Sequence, residues 1–130
     1  MPKNKATGTF EVKIEPQTDR EVPMLGRLTI DKQFHGDLEA TTQGQMLSAG
    51  TSIPNSAGYV AIERAEGSLH GKKGSFVLQH SGTMNRGEAT LIVTVVPDSG
   101  TDELVGLSGT LSITNDGGKH SYEFEYELPG

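Results

Sequence analysis

A few ionisable side chains stand inside strand-like runs of this 130-residue chain, and their types could support chemistry. In "GSFVLQHSG", Gln79 and His80 are neighbours between two glycines; in "YVAIER", Glu63 and Arg64 follow four residues suited to a strand. Neighbours on a strand point to opposite faces of the sheet, so only one member of each pair can look inward. Phe76, Leu78 and His80 form the more apolar set, against Ser75, Val77 and Gln79, so His80 is expected beside the core. An imidazole there could bind a ligand or carry a proton. It could equally donate to a backbone carbonyl and do nothing else. Glu63 shares a phase with Tyr59 and Ala61. If that face lines an interior, desolvation should raise the carboxyl pKa and make Glu63 a general base; if the face is wet, Glu63 is half of a surface ion pair. Glu39, in "FHGDLEA", is in phase with His35 and Asp37 and opposite Phe34 and Leu38, which puts it outside unless Gly36 marks a bulge.

Other chemistries lack their residues. No cysteine is present, so there is neither a thiolate nor a disulfide framework. The four histidines, His35, His70, His80 and His120, form no pair at metal-ligand spacing, and no metal or cofactor is expected. His70 and His120 adjoin turn residues, where a solvated side chain is the plain expectation. "GSLHGKK" has glycine spacing one residue short of a phosphate-binding loop, and "GLSG" and "PDSG" lack nucleophile-elbow spacing. The formal charge is −6 with scattered lysines and arginines, which argues against nucleic acid as a partner. No segment approaches the roughly 20 apolar residues of a membrane span, and the N-terminus lacks the apolar run of a signal peptide, so a cytoplasmic protein is expected.

The elements that must position these residues are strands. "SYEFEYEL" alternates Tyr122, Phe124, Tyr126 and Leu128 with three glutamates, and "FEVKIEP" alternates Phe10, Val12 and Ile14 with charges. The two chain ends therefore read as similar strands that could close a sheet. Between them, β-branched and aromatic runs are bounded by glycine, proline or Asn/Asp pairs, with "NDGG" the strongest hairpin signal and "GTDELVGL" at most a helical turn. The region 43–57 reads as a polar, glycine-rich bridge across one mouth of the fold. About eight short-spaced strands in a chain of this length predict one all-β domain over residues 1–130, with 1–6 a flexible terminus. A closed antiparallel barrel is favoured, because closure removes exposed edges and leaves room for one small ligand.

The stretches "KQFHGDLEA", "GYVAIERAEGSLHGKKGSFVLQHSGTM" and "TVVPDSGTDELVGLSGTL" resemble the bacterial DUF3224 family, a domain of unknown function, over residues 6–113 in order and with compatible spacing. The resemblance implies an eight-stranded antiparallel barrel similar to allene oxide cyclase and dirigent proteins, with an interior cavity and a tendency to form homo-oligomers. The family motif positions present here are Phe34, Gly36, Glu39, Glu63, Arg64, Gln79 and His80. The resemblance supplies no reaction.

These readings make Glu63 and His80 the candidate acid or base, and Tyr59, Gln79, Glu39, Phe34 and Phe76 the candidate ligand contacts. A small apolar or aromatic molecule is the expected partner. Three functions stay open: a cofactor-independent isomerase or cyclase, a non-catalytic carrier, and a structural oligomer with a packed barrel.

Overall fold

In the computed structural model, residues 4–129 are described, with the side chains of 18–21 not among them. Eight strands in chain order, β1 Asn4–Val22, β2 Leu25–Gly36, β3 Leu38–Gly50, β4 Ala57–Leu69, β5 Lys72–Asn85, β6 Glu88–Val95, β7 Ser108–Asp116 and β8 Lys119–Glu127, form a closed antiparallel barrel. The first and last strands do pair, with Ala6 opposite Phe124 and Phe10 opposite His120. Residues 4–6, expected as a flexible terminus, belong to β1, and Ala6 is fully buried because that pairing carries it into the core. Residues 1–3 lie outside the described residues.

Alternation along the strands sorts the side chains cleanly. On β4, Ala61, Glu63 and Ala65 are buried while Ile62, Arg64 and Glu66 are exposed; on β8, Tyr122, Phe124 and Tyr126 are buried between exposed glutamates. The period of two seen in the sequence is thus an inside–outside period. The region 43–57 is not a bridge. Strand β3 runs on to Gly50 in continuous register with β4, and only the short loop 51–56 crosses between them. Gly44 within this region marks a close approach of β3 to β4 rather than a break in pairing.

One half of the barrel is packed with hydrocarbon. Phe34, Leu69, Phe76, Leu78, Phe124 and Tyr126 fill it, with the Phe76 and Phe124 rings stacked at 5.9 Å. The connection after β6 seals this end. Val96 donates to the Val77 carbonyl and Thr101 to that of Ser75, so the chain stays hydrogen-bonded along β5 beyond the end of β6. A 3-10 turn at Asp102–Leu104 then carries Leu104, and after it Leu107, into the core. That is the helical turn expected at "GTDELVGL".

The detour has a consequence for the wall. Strands β6 and β7 are joined by one residue pair, Thr94 with Thr110, whereas every other neighbouring pair of strands is matched over seven or more positions. The upper parts of β6 and β7 leave a seam in the otherwise continuous ladder. Among the described residues no helix is long and apolar enough to cross a membrane.

Candidate functional site

Where the packed half ends, four polar side chains from four consecutive strands meet inside the barrel. Lys32 on β2 faces Thr42 on β3 across the ladder, Glu63 comes from β4, and His80 from β5 is one step diagonal to it, since Glu63 is paired with Leu78 and Ala61 with His80. Glu63 is completely buried and His80 nearly so, at 3 % exposure. Lys32 donates to Glu63 Oε1 at 3.0 Å, His80 Nε2 stands 2.6 Å from the same oxygen, and the Thr42 hydroxyl donates to Oε2 at 2.8 Å. The Lys32 ammonium also lies 5.1 Å from the Phe10 ring centre and 5.8 Å from that of Phe34, on faces that attract a cation.

Burial by itself pushes the Glu63 carboxyl pKa up. The His80 hydrogen bond and the Lys32 charge outweigh it, and the pKa falls from 4.5 to about 2. This corrects the expectation of a raised, base-like Glu63. A carboxylate that accepts three hydrogen bonds and faces a cation is stabilised as the anion, and it is a poor proton acceptor at neutral pH. Its role toward His80 is that of an acceptor that fixes the ring. With Glu63 ionised, Nε2–H is the donor in this bond, and in that tautomer of imidazole the lone pair is on Nδ1. Among the described residues no buried side-chain nitrogen or oxygen lacks a partner and Glu63 alone bonds the His80 ring, so Nδ1 is open to the cavity.

Above this polar layer the barrel is hollow. A cavity of about 550 Å³ is walled by Val12, Ile14, Ile30, Met46, Leu91 and Ile113, with Lys32 and His80 at its floor. Tyr59 and His120 also line it, and the His120 ring packs 5.1 Å from that of Phe10. Tyr59 lies across Gly82, its partner in the ladder, where a Cβ would come within 2.6 Å of the ring. The glycine makes the bed on which the phenol ring lies. Burial, then the Glu63 charge, raises the Tyr59 pKa, so it stays a phenol.

The structure brings three of the expected residues together: Glu63, His80 and Tyr59. Phe34 lies below the floor and backs Lys32. The other three expected contacts stand apart from the cavity. Phe76 is in the packed half against Phe124. Gln79 is exposed on the outer face, because β5 runs through it without a bulge and His80 takes the inner position. Glu39 is also outside, accepting from the Gly36 amide at 2.7 Å and standing 3.7 Å from His35, as simple alternation requires.

The family profile described as "Protein of unknown function (DUF3224)" matches residues 6–126. The chain belongs to the DUF3224 family. It is 48 % identical to a protein of unknown function of the DUF3224 family from Shewanella oneidensis MR-1, whose crystal structure superimposes with a TM-score of 0.93 over 99 % of each chain. No match was found among curated proteins.

Three residues of the site in this DUF3224 chain are not singled out by its sequence patterns. Lys32 alternates in phase with Ile30 and Phe34, so an inward lysine was there to be read in "TIDKQF"; Thr42 is in phase with Ala40 in the same way. His120, expected in solvent beside its turn, instead faces the cavity because β8 pairs with β1 at Phe10. Among the described residues no group of three or more His, Cys, Asp or Glu side chains is arranged to hold a metal ion. What the DUF3224 site offers is a cation and a ring nitrogen at the base of an apolar well.

Proposed function

We propose that this DUF3224 protein binds a small, predominantly apolar or aromatic molecule in the open half of its barrel, with the molecule's polar end at Lys32 and His80. His80, oriented by Glu63, moves a proton on it without a cofactor. One observation carries this reading: the apolar cavity ends on a buried Lys32–Glu63–His80 cluster rather than on hydrocarbon. Burying charges costs several kcal/mol per ion unless they are paired, and a packed apolar layer of the same volume is often as stable or more so. Placing that cluster at the floor of a well suits function better than stability. The test is titration with a neutral, environment-sensitive dye such as N-phenyl-1-naphthylamine. The wild type should enhance its fluorescence with saturation, and Leu91→Trp, which narrows the well, should weaken the effect. Absence of saturable binding by the wild type sinks the proposal.

A carrier function is supported by a different observation. The well is open at its end and flanked by the β6–β7 seam, and no segment among the described residues covers it. Active sites that handle reactive intermediates usually exclude water. Recovery of a bound compound unchanged after incubation would favour the carrier.

Association between copies is the third element, together with a cytoplasmic setting. Leu25, Leu47, Val60, Ile62 and Ile92 are each about half exposed on the outer face of β2 to β6, and ladder pairs such as Leu47 with Val60 join several of them into an apolar strip, bordered by Arg27, which pairs with Leu47. A homo-oligomer that covers this strip removes it from water.

A further inference from the structure

The floor of the well has two chemically different ends, and their separation is fixed by a shared atom. Lys32 Nζ and His80 Nε2 both bond Glu63 Oε1, so the two nitrogens are no further apart than the sum of those bonds. The ammonium has three N–H donors; one is used on Glu63, and the group stands at the cavity surface. On the same floor the His80 ring offers Nδ1. An electron-pair donor therefore sits next to a cation, both facing one apolar volume. That combination fits a ligand in which an oxygen acceptor is separated from an acidic C–H by one carbon.

We infer that the site takes apolar or aromatic ketones or aldehydes that can enolise, with the carbonyl oxygen on Lys32 and the α-carbon at His80, and that it catalyses proton transfer between carbons of the ligand. The inference rests on the binding reading above and adds a substrate class and a role for Lys32. His80 Nδ1 takes the α-proton. The C–H electron pair becomes the carbon–carbon double bond of the enolate, and the carbonyl π pair moves to oxygen, where the Lys32 N–H donors stabilise the negative charge as it develops. The imidazolium formed on His80 keeps its Nε2–H on ionised Glu63, which balances its charge. Return of the proton from Nδ1 to the same carbon exchanges it; return to a conjugated carbon isomerises the ligand. No oxidant, reductant or metal enters the balance.

Two features keep the chemistry local. Phe10 and Phe34 hold the ammonium from one side, so the cation is aimed rather than free to follow solvent. Thr42 occupies the second oxygen of Glu63, so the carboxylate presents Oε1 alone to both partners.

The experiment is hydrogen–deuterium exchange of 2-tetralone in D2O, followed by NMR and corrected for exchange in buffer, alongside displacement of N-phenyl-1-naphthylamine by the same ketone. The wild type should displace the dye and accelerate exchange by about 10²-fold or more. His80→Gln keeps an N–H for Glu63 but has no ring nitrogen; it should still bind dye saturably and exchange at the buffer rate. Lys32→Gln likewise keeps a donor to Glu63 while losing the cation. It should lower kcat at least tenfold and affect KM less, because the negative charge it stabilises develops only after binding. Dye displacement without exchange above buffer overturns this inference and leaves the binding reading intact. Dye binding that the ketone does not displace overturns the carbonyl assignment. A protein that binds neither dye nor ketone loses both readings.

Discussion

Glu63 lies directly across the β3–β4 ladder from Gly44, and a Cβ on Gly44 would stand 2.6 Å from the Glu63 Cβ and 2.3 Å from the Ile62 carbonyl oxygen. The backbone of β3 is thereby drawn in against the carboxylate side chain. Gly44→Ala should push the strands apart at this point, destabilising the barrel by about 1–3 kcal/mol as overpacked cores do. A urea midpoint equal to that of the wild type contradicts the close approach.

Removing one member of the buried cluster leaves the others uncompensated. Lys32→Met strands the Glu63 anion in the interior and should cost about 3–5 kcal/mol, whereas Lys32→Met with Glu63→Gln removes both charges and should recover much of that loss. Denaturant unfolding of the two single variants and the double variant measures the coupling. Additive losses would show that Lys32 and Glu63 do not act as a pair.

The depressed Glu63 pKa makes stability depend on pH in a defined direction. Its folded value is below its unfolded value of 4.5, so the contribution is complete above that value and is lost as the pH falls toward about 2. A shift of this size corresponds to about 3 kcal/mol across the window. The urea midpoint of the wild type should fall more steeply from pH 4.5 downward than that of Glu63→Gln. Parallel slopes would show that the carboxyl titrates normally.

Tyr59 depends on Gly82 for its place over the ladder. Gly82→Ala should force the ring off its bed and into the well, weakening dye binding about tenfold while the far-ultraviolet circular dichroism spectrum stays that of a barrel. Undiminished affinity would show that the ring has room to move elsewhere.

The outer strip predicts association. Val60→Lys with Ile92→Lys puts charges on side chains 51 % and 56 % exposed, and should convert an oligomer to monomer in light scattering without a change in melting of the barrel itself. A wild type that is monomeric at high concentration removes the proposal.

Much of this architecture was legible from alternation. The inward set on β8 and the choice of His80 over Gln79 both follow from a period of two, which survives wherever a strand runs without a bulge. What alternation could not decide was Glu63 against Arg64, since Tyr59 and Ala61 are no more apolar than Val60 and Ile62. The answer depends on Lys32 and Thr42, which lie about 20 to 30 residues away in sequence and meet Glu63 only through the register of three strands. The carboxyl pKa is out of reach of alternation for the same reason: burial alone raises it, and the partners that reverse the sign come from other strands. His120 illustrates a third limit, because its place beside Phe10 is set by closure of β8 on β1, a contact between the two ends of the chain.

The single Thr94–Thr110 pair that joins β6 to β7 gives this cylinder the mechanics of a cuff with one clasp. Widening it at the hollow end breaks no ladder there, whereas the sealed end stays fastened by Leu104 and Leu107. Breathing should therefore be confined to the hollow half, which can widen sideways while the charged floor keeps its shape.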